Sequence, residues 1–259
     1  MKLKRINVHS LLVCLEIAYG ALALLALTIG PIFTLWRNAQ LNNAALPIEA
    51  AHLSTFVIVQ LPALYLLGRR TNASLSWKSA ESLLAALVGW ILITSVMSDF
   101  GAYAVGNAIK VALGVTTGLY LATSFTRHQQ VIIIALATHV GVLVSRFAIA
   151  RNWPESIYEL REWSGIYVNP NLLGPVAAVA AISLLFSIVP VYKQIPRQWR
   201  FAVGVVVADV AIFDLIVLFH TKAFTSILST CVVVAIGSMA YLMNRVIPHD
   251  ARKQWWRNS

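Results

Sequence analysis

The residues that could do chemistry stand where an apolar chain has least use for them. Lys110, His139, Arg146, Asp209 and Asp214 fall inside long apolar runs, and His220 and Lys222 sit at the end of one. Charged groups within hydrocarbon are costly, so each is a candidate for function by default. A cluster of cations in such a setting suits an anion, phosphate above all, which Arg holds through a two-pronged hydrogen bond. His220 and Asp214 are the groups able to take a proton from a hydroxyl. Each also has a plain structural use. Arg146 and Lys222 can snorkel to the surface. Lys110 is expected to pair with Asp214 or Asp209, with Asn107 on the same helical face joining the network. His139 reads as a hydrogen-bonded packing residue, and Glu16 as a partner for loop cations.

The elements that must position these groups follow from composition. Of 259 residues, 59% are hydrophobic and 12% charged, and the mean hydropathy is +0.74. A soluble domain carries about a quarter charged residues, so lipid is the expected solvent. The net charge of +10 is spread over short loops rather than clustered on one face, which speaks against nucleic acid as a partner. Cys14 and Cys231 show no metal or disulfide spacing and read as small core residues. No metal and no cofactor is expected.

A helix needs about 20 apolar residues to cross hydrocarbon. Eight such stretches lie near 10–35, 50–68, 80–98, 102–125, 130–150, 171–191, 201–220 and 224–246. The fold expected is all-α: a single polytopic transmembrane bundle of about eight spans over residues 1–259. The short breaks after the third and seventh stretches predict tight antiparallel hairpins, the first opened by Gly101. Fourteen Lys and Arg residues fall on one side of this arrangement and four on the other. The positive-inside bias then puts both termini in the cytoplasm. The apolar run after Lys2, Lys4 and Arg5 is longer than a signal-peptide core, so it is expected to remain as a first span. Trp36, Trp77, Trp153, Trp163, Trp199, Trp255 and Trp256 fall at span ends as an interfacial belt. With this orientation Lys110, Arg146, His220, Lys222 and the loop residue Arg161 all gather toward the outer half, as a cationic outward cavity.

The loop 151–170 is the longest on the outer side. Pro154, Glu155 and the spacing of Ile157, Leu160 and Trp163 predict a short amphipathic helix on the membrane surface. Asn169-Pro170-Asn171 then opens the sixth span. Asn before a first-position Pro is a capping signal, yet the exposed amides of such a helix start also favour an anion, and the two readings stand level here.

The segment Leu160-Arg161-Glu162-Trp163-Ser164-Gly165-Ile166-Tyr167-Val168-Asn169-Pro170-Asn171-Leu172-Leu173-Gly174 resembles the Arg-x-x-Gly-x-x-x-Asn-Pro-Asn signature of the O-antigen ligase and O-antigen polymerase superfamily, with one more residue between Arg161 and Gly165. The turn after Trp90–Ser98 is similar to the family's Ser-x-x-x-Ser turn. Leu218-Phe219-His220-Thr221-Lys222-Ala223-Phe224 stands where the family has Ser-Arg-Gly-Ala. The likeness covers roughly residues 80–240.

The resemblance implies a bacterial inner-membrane protein with a periplasmic active face and metal-independent glycosyltransferase chemistry. Glycan carried on undecaprenyl pyrophosphate would pass to a sugar hydroxyl of lipid A–core or of another glycan, in lipopolysaccharide or surface polysaccharide assembly. Arg161 matches the motif arginine, and Lys222 stands for a second one without its fork. Arg146, Lys110, Asn169 and Asn171 complete the expected substrate-binding set, with His220 or Asp214 as the base. Family members continue into a large outer loop with a catalytic histidine and further helices. The expectation is therefore a truncated or divergent member, a non-catalytic paralogue, or one subunit that works beside a second. The rival expectation, motivated by Lys110, Asp209 and Asp214, is a small membrane transporter.

Overall fold

The computed structural model describes residues 8–28, 48–71, 79–153, 156–158, 162–167 and 169–246. Among these, eight helices run in order: α1 Val8–Leu27, α2 Ile48–Thr71, α3 Ser79–Val96, α4 Gly101–Ser124, α5 Arg127–Ala150, α6 Pro170–Gln194, α7 Arg197–His220 and α8 Phe224–Val246. Each overlays one of the eight apolar stretches. Three of them, α4, α5 and α7, are long and apolar enough to cross a membrane. The chain is thus a helical, membrane-associated protein, and its many outward-facing Leu, Ile, Val and Phe side chains, such as Ile58, Leu83, Phe201 and Ile236, suit lipid as a neighbour.

The helices pack as two groups. In the first, α4 lies against α2 and α3, with α1 alongside α2. In the second, α6 is central, flanked by α5 and α7 and covered by α8. The main joint between the groups is α1 on α5. α6 can be central because it presents Gly174, Ala177, Ala178, Ala180 and Ala181, all buried, which let neighbouring backbones approach closely. Around that stripe close Val142, Ala148, Ile166, Tyr167, Leu173, Val217 and Leu218. In the first group the register of α2 is set by polar contacts. Buried Gln60 donates through Nε2 to the Ala23 carbonyl at 2.9 Å and accepts from the Thr117 hydroxyl.

Some local expectations change. α5 begins three residues earlier than expected because Thr126 and Gln129 form a reciprocal capping box. The turn between α7 and α8 is tight, as expected, and is made without glycine: Lys222 adopts the left-handed region at φ 51. The two helices then diverge, and α8 leans mainly on α6, so they are not a closely packed hairpin. Cys14 and Cys231 are exposed on helix exteriors rather than buried in a core. Trp36, Trp77, Trp255 and Trp256 lie outside the described residues.

Candidate functional site at the loop end of the second helix group

The loop between α5 and α6 is not an amphipathic helix. Ile157–Tyr158 (β1) and Glu162–Trp163 (β2) pair as a small antiparallel hairpin, with Ile157 opposite Trp163 and Tyr158 opposite Glu162. A three-residue spacing of apolar side chains suits a helical face, but here the backbone pairs instead, and Ser156 organises the chain on both sides of the hairpin. Its carbonyl accepts from the Ser164 and Gly165 amides at 3.1 and 2.9 Å, and its hydroxyl donates to the Trp153 carbonyl at 2.7 Å. Gly165 sits at φ +58 directly against Ser145 of α5, leaving no room for a side chain. A 3-10 turn, Gly165–Tyr167, then drives Ile166 and Tyr167 into the core.

Tyr167 anchors the loop to α1. The Thr28 hydroxyl donates to the Leu25 carbonyl at 2.7 Å, so across the 3.4 Å gap the Tyr167 hydroxyl is the donor to Thr28. Burial pushes the Tyr167 hydroxyl pKa up to about 12, against a smaller lowering by the Thr28 contact. Gly141 of α5 makes space for that hydroxyl, since a Cβ there would overlap it.

The hairpin then meets the far end of α7. The Trp163 and His220 rings stack with centroids 4.1 Å apart and planes 25° apart. The Lys222 ammonium lies 3.9 Å from a Glu162 carboxylate oxygen, and both groups are partly exposed. Trp163, at a span end, is the surface on which His220 rests. His220 Nδ1 is 2.9 Å from the Ile216 carbonyl, which can only accept, so Nδ1 carries the hydrogen. In the neutral ring Nε2 is then the basic nitrogen.

The start of α6 completes the site. Asn169 caps the helix, its side-chain oxygen accepting from the Asn171 amide at 2.8 Å, and Pro170 occupies the first turn. The Asn169 oxygen is therefore engaged as a cap, while both asparagines remain exposed. Four residues into the helix, Gly174 touches the turn after α7. A Cβ on it would lie 3.1 Å from Thr221 Oγ1, with Ala223 closer still. The Asn169–Gly174 segment and the His220–Ala223 turn are thus neighbours.

The remaining expected residues are dispersed. Arg161 lies outside the described residues. Lys110 does not pair with Asp214 or Asp209: its ammonium donates to Asn107 Oδ1 at 3.4 Å, on a helix that packs in the other group. Arg146 is exposed and rests over the Phe213 ring at 4.4 Å. Asp209 is exposed. Asp214 is enclosed, 1% exposed, with Oδ2 3.1 Å from His139 Nδ1. Among the described residues, Lys110, Arg146 and Lys222 therefore each rest on a different partner: Asn107, Phe213 and Glu162. The Trp163 stack and the His139 partner were missed because both depend on which helices become neighbours, which linear spacing does not encode. No protein-family model, curated protein or solved structure matches the chain.

Proposed function

We propose that the chain is an O-antigen ligase-like protein of the bacterial inner membrane, crossing the bilayer eight times with both termini cytoplasmic. Its periplasmic face would bind undecaprenyl-pyrophosphate-linked glycan for transfer to lipid A–core or another glycan acceptor. One juxtaposition supports the reading. The two stretches that carry the family resemblance, Asn169-Pro170-Asn171 and His220-Thr221-Lys222-Ala223, are distant in sequence yet pack together through Gly174.

Within this reading the roles divide by chemistry. Lys222 and Arg161 meet the pyrophosphate charge. The Lys222–Glu162 pair is partly exposed, and such pairs contribute only about 0–1 kcal/mol, so an anionic ligand can displace the carboxylate. His220 Nε2 takes the proton of the acceptor hydroxyl as that oxygen bonds to the sugar anomeric carbon. The bond from that carbon to the pyrophosphate oxygen breaks, and undecaprenyl pyrophosphate leaves with the electron pair. Trp163 and the Ile216 carbonyl hold the imidazole in orientation and tautomer. Asp214 is enclosed beneath, so the proton-accepting role falls to His220 alone.

The test uses full-length protein in nanodiscs with undecaprenyl-pyrophosphate glycan. Binding is expected, weakened at least tenfold by Arg161→Ala and by Lys222→Ala. His220→Ala is expected to keep binding and abolish transfer. Absence of binding, or binding indifferent to Arg161→Ala, refutes the proposal; binding without transfer in the unaltered protein assigns it to a non-catalytic member or subunit.

A further inference from the structure

Beneath this surface lies a second pair of groups that the glycan reading does not use. Asp214 is six residues before the end of α7, about 9 Å deeper along the helix. It faces His139 of α5, whose side chain is 15% exposed. His139 Nδ1 approaches Asp214 Oδ2 at 3.1 Å, and none of Asp214 Oδ1, Asp214 Oδ2 and His139 Nε2 has a hydrogen-bond partner of good geometry among the described residues. Val142, Val217 and Leu218, all buried, lie within one turn of these two positions on α5 and α7.

Among the described residues, no hydrogen bond reaches Asp214 Oδ1, Asp214 Oδ2 or His139 Nε2 from the packed elements. On α5, Arg146 is engaged with the Phe213 ring, while Thr138 and Ser145 donate to their own helix at the Ile134 and Gly141 carbonyls. On α7, Asp209 is exposed. On α6, Ser183 donates to the Ala180 carbonyl, and on α8 Thr230 donates to the Ser226 carbonyl. On the loop, Glu162 meets Lys222 and Tyr167 meets Thr28.

We propose that His139 and Asp214 form an intramembrane proton-binding site that holds one proton between them at the α5–α7 seam. The physical basis is charge balance in a medium that solvates ions poorly. With no proton, a carboxylate is buried with no counter-charge. With two, an imidazolium is buried beside a neutral acid. With one, whether on carboxyl or on imidazole, the pair is neutral as a whole. Loss or gain of that proton changes the charge of an otherwise apolar seam. Exchange must then be accompanied by movement of α5 against α7 or by arrival of a counter-ion, which makes this the place in the fold where proton movement can be coupled to helix movement. The inference does not depend on the glycan reading.

Dicyclohexylcarbodiimide tests it, because this apolar reagent condenses with protonated carboxyl groups in membranes. The acid proton passes to a carbodiimide nitrogen, the carboxyl oxygen bonds to the central carbon, and rearrangement to nitrogen leaves a stable N-acylurea. Full-length protein in nanodiscs is treated at pH 8, and fragmentation of the peptide bearing Asp209 and Asp214 places the label on one or the other. Labelling of Asp214 is expected to rise severalfold in His139→Gln, because the imidazole no longer takes the proton, and to vanish in Asp214→Asn. Should His139→Gln fail to fold, His139→Asn makes the same comparison. Equal labelling of Asp214 with and without His139 overturns the proposal. So does protection of Asp214 by sodium at fixed pH, which would mark a metal-cation site.

Discussion

Gly165 offers a perturbation whose cost can be worked out in parts. An alanine there must keep the left-handed conformation, φ +58, which costs an L side chain about 1–2 kcal/mol. Its Cβ must also fit where Ser145 already stands, with Ser145 Oγ 2.6 Å and the Ser145 Cα 3.0 Å from the ideal position. The hydroxyl can turn about χ1, but Ser145 Cα and Cβ are fixed by the helix backbone and cannot swing aside, so overpacking adds about 1–3 kcal/mol. The sum for Gly165→Ala is about 2–5 kcal/mol. Gly101 supplies the control: it has φ +48 but nothing within 4 Å of an added methyl, so Gly101→Ala carries only the backbone part, about 1–2 kcal/mol. The assay is thermal unfolding in detergent followed by far-ultraviolet circular dichroism, which reads the loss of helix directly, compared across the two variants. The expected order is wild type, then Gly101→Ala, then Gly165→Ala. Equal melting of the two variants would refute the assignment of Ser145 as the obstacle, and a Gly165→Ala protein as stable as wild type would refute the packing of the loop against α5 altogether.

Two further outcomes follow from the packing. The Tyr167 hydroxyl titrates near 12 in the fold but near 10 in an unfolded chain, so its stabilising contribution is complete below pH 10 and is lost as pH climbs from 10 toward 12, because the unfolded chain gives up its proton first. That loss amounts to about 3 kcal/mol, and Tyr167→Phe should flatten the pH profile of melting over that interval. Gly174→Ala places a methyl 2.5 Å from the Ala223 Cβ and should cost about 1–3 kcal/mol, with most of it recovered in Gly174→Ala/Ala223→Gly, read by the same melting assay.

How far the sequence is legible depends on range. The eight apolar stretches are local facts, and each became a helix. The Thr126–Gln129 box is equally local, a Thr-x-x-Gln pattern at the front of an apolar run, and was legible by rule although periodicity alone starts the helix later. The 157–163 loop misled because Ile157, Leu160 and Trp163 satisfy a helical spacing, while the deciding contact, Trp163 on His220, comes from a residue more than fifty positions away. Asp214 is the clearest case. Charge matching alone offers it Lys110, but α4 and α7 belong to different helix groups, and the nearest base in space is His139. The Asn169 cap was legible as one of two uses, and Lys222 in a glycine-free turn had no sequence signal at all.

The docking of α1 on α5 has a consequence for biogenesis. Roughly 120 residues separate the end of α1 from the end of α5, and at about 5–20 residues per second their synthesis occupies on the order of ten seconds. Throughout that interval the first helix has left the ribosome without its principal neighbour. It must be held by lipid, by α2 through the Gln60–Ala23 bond, or by an insertion factor until α5 arrives. The nascent protein is therefore most open to proteolysis and misassembly before its fifth helix is made, and a ribosome stalled short of that point would leave a bundle lacking its central joint.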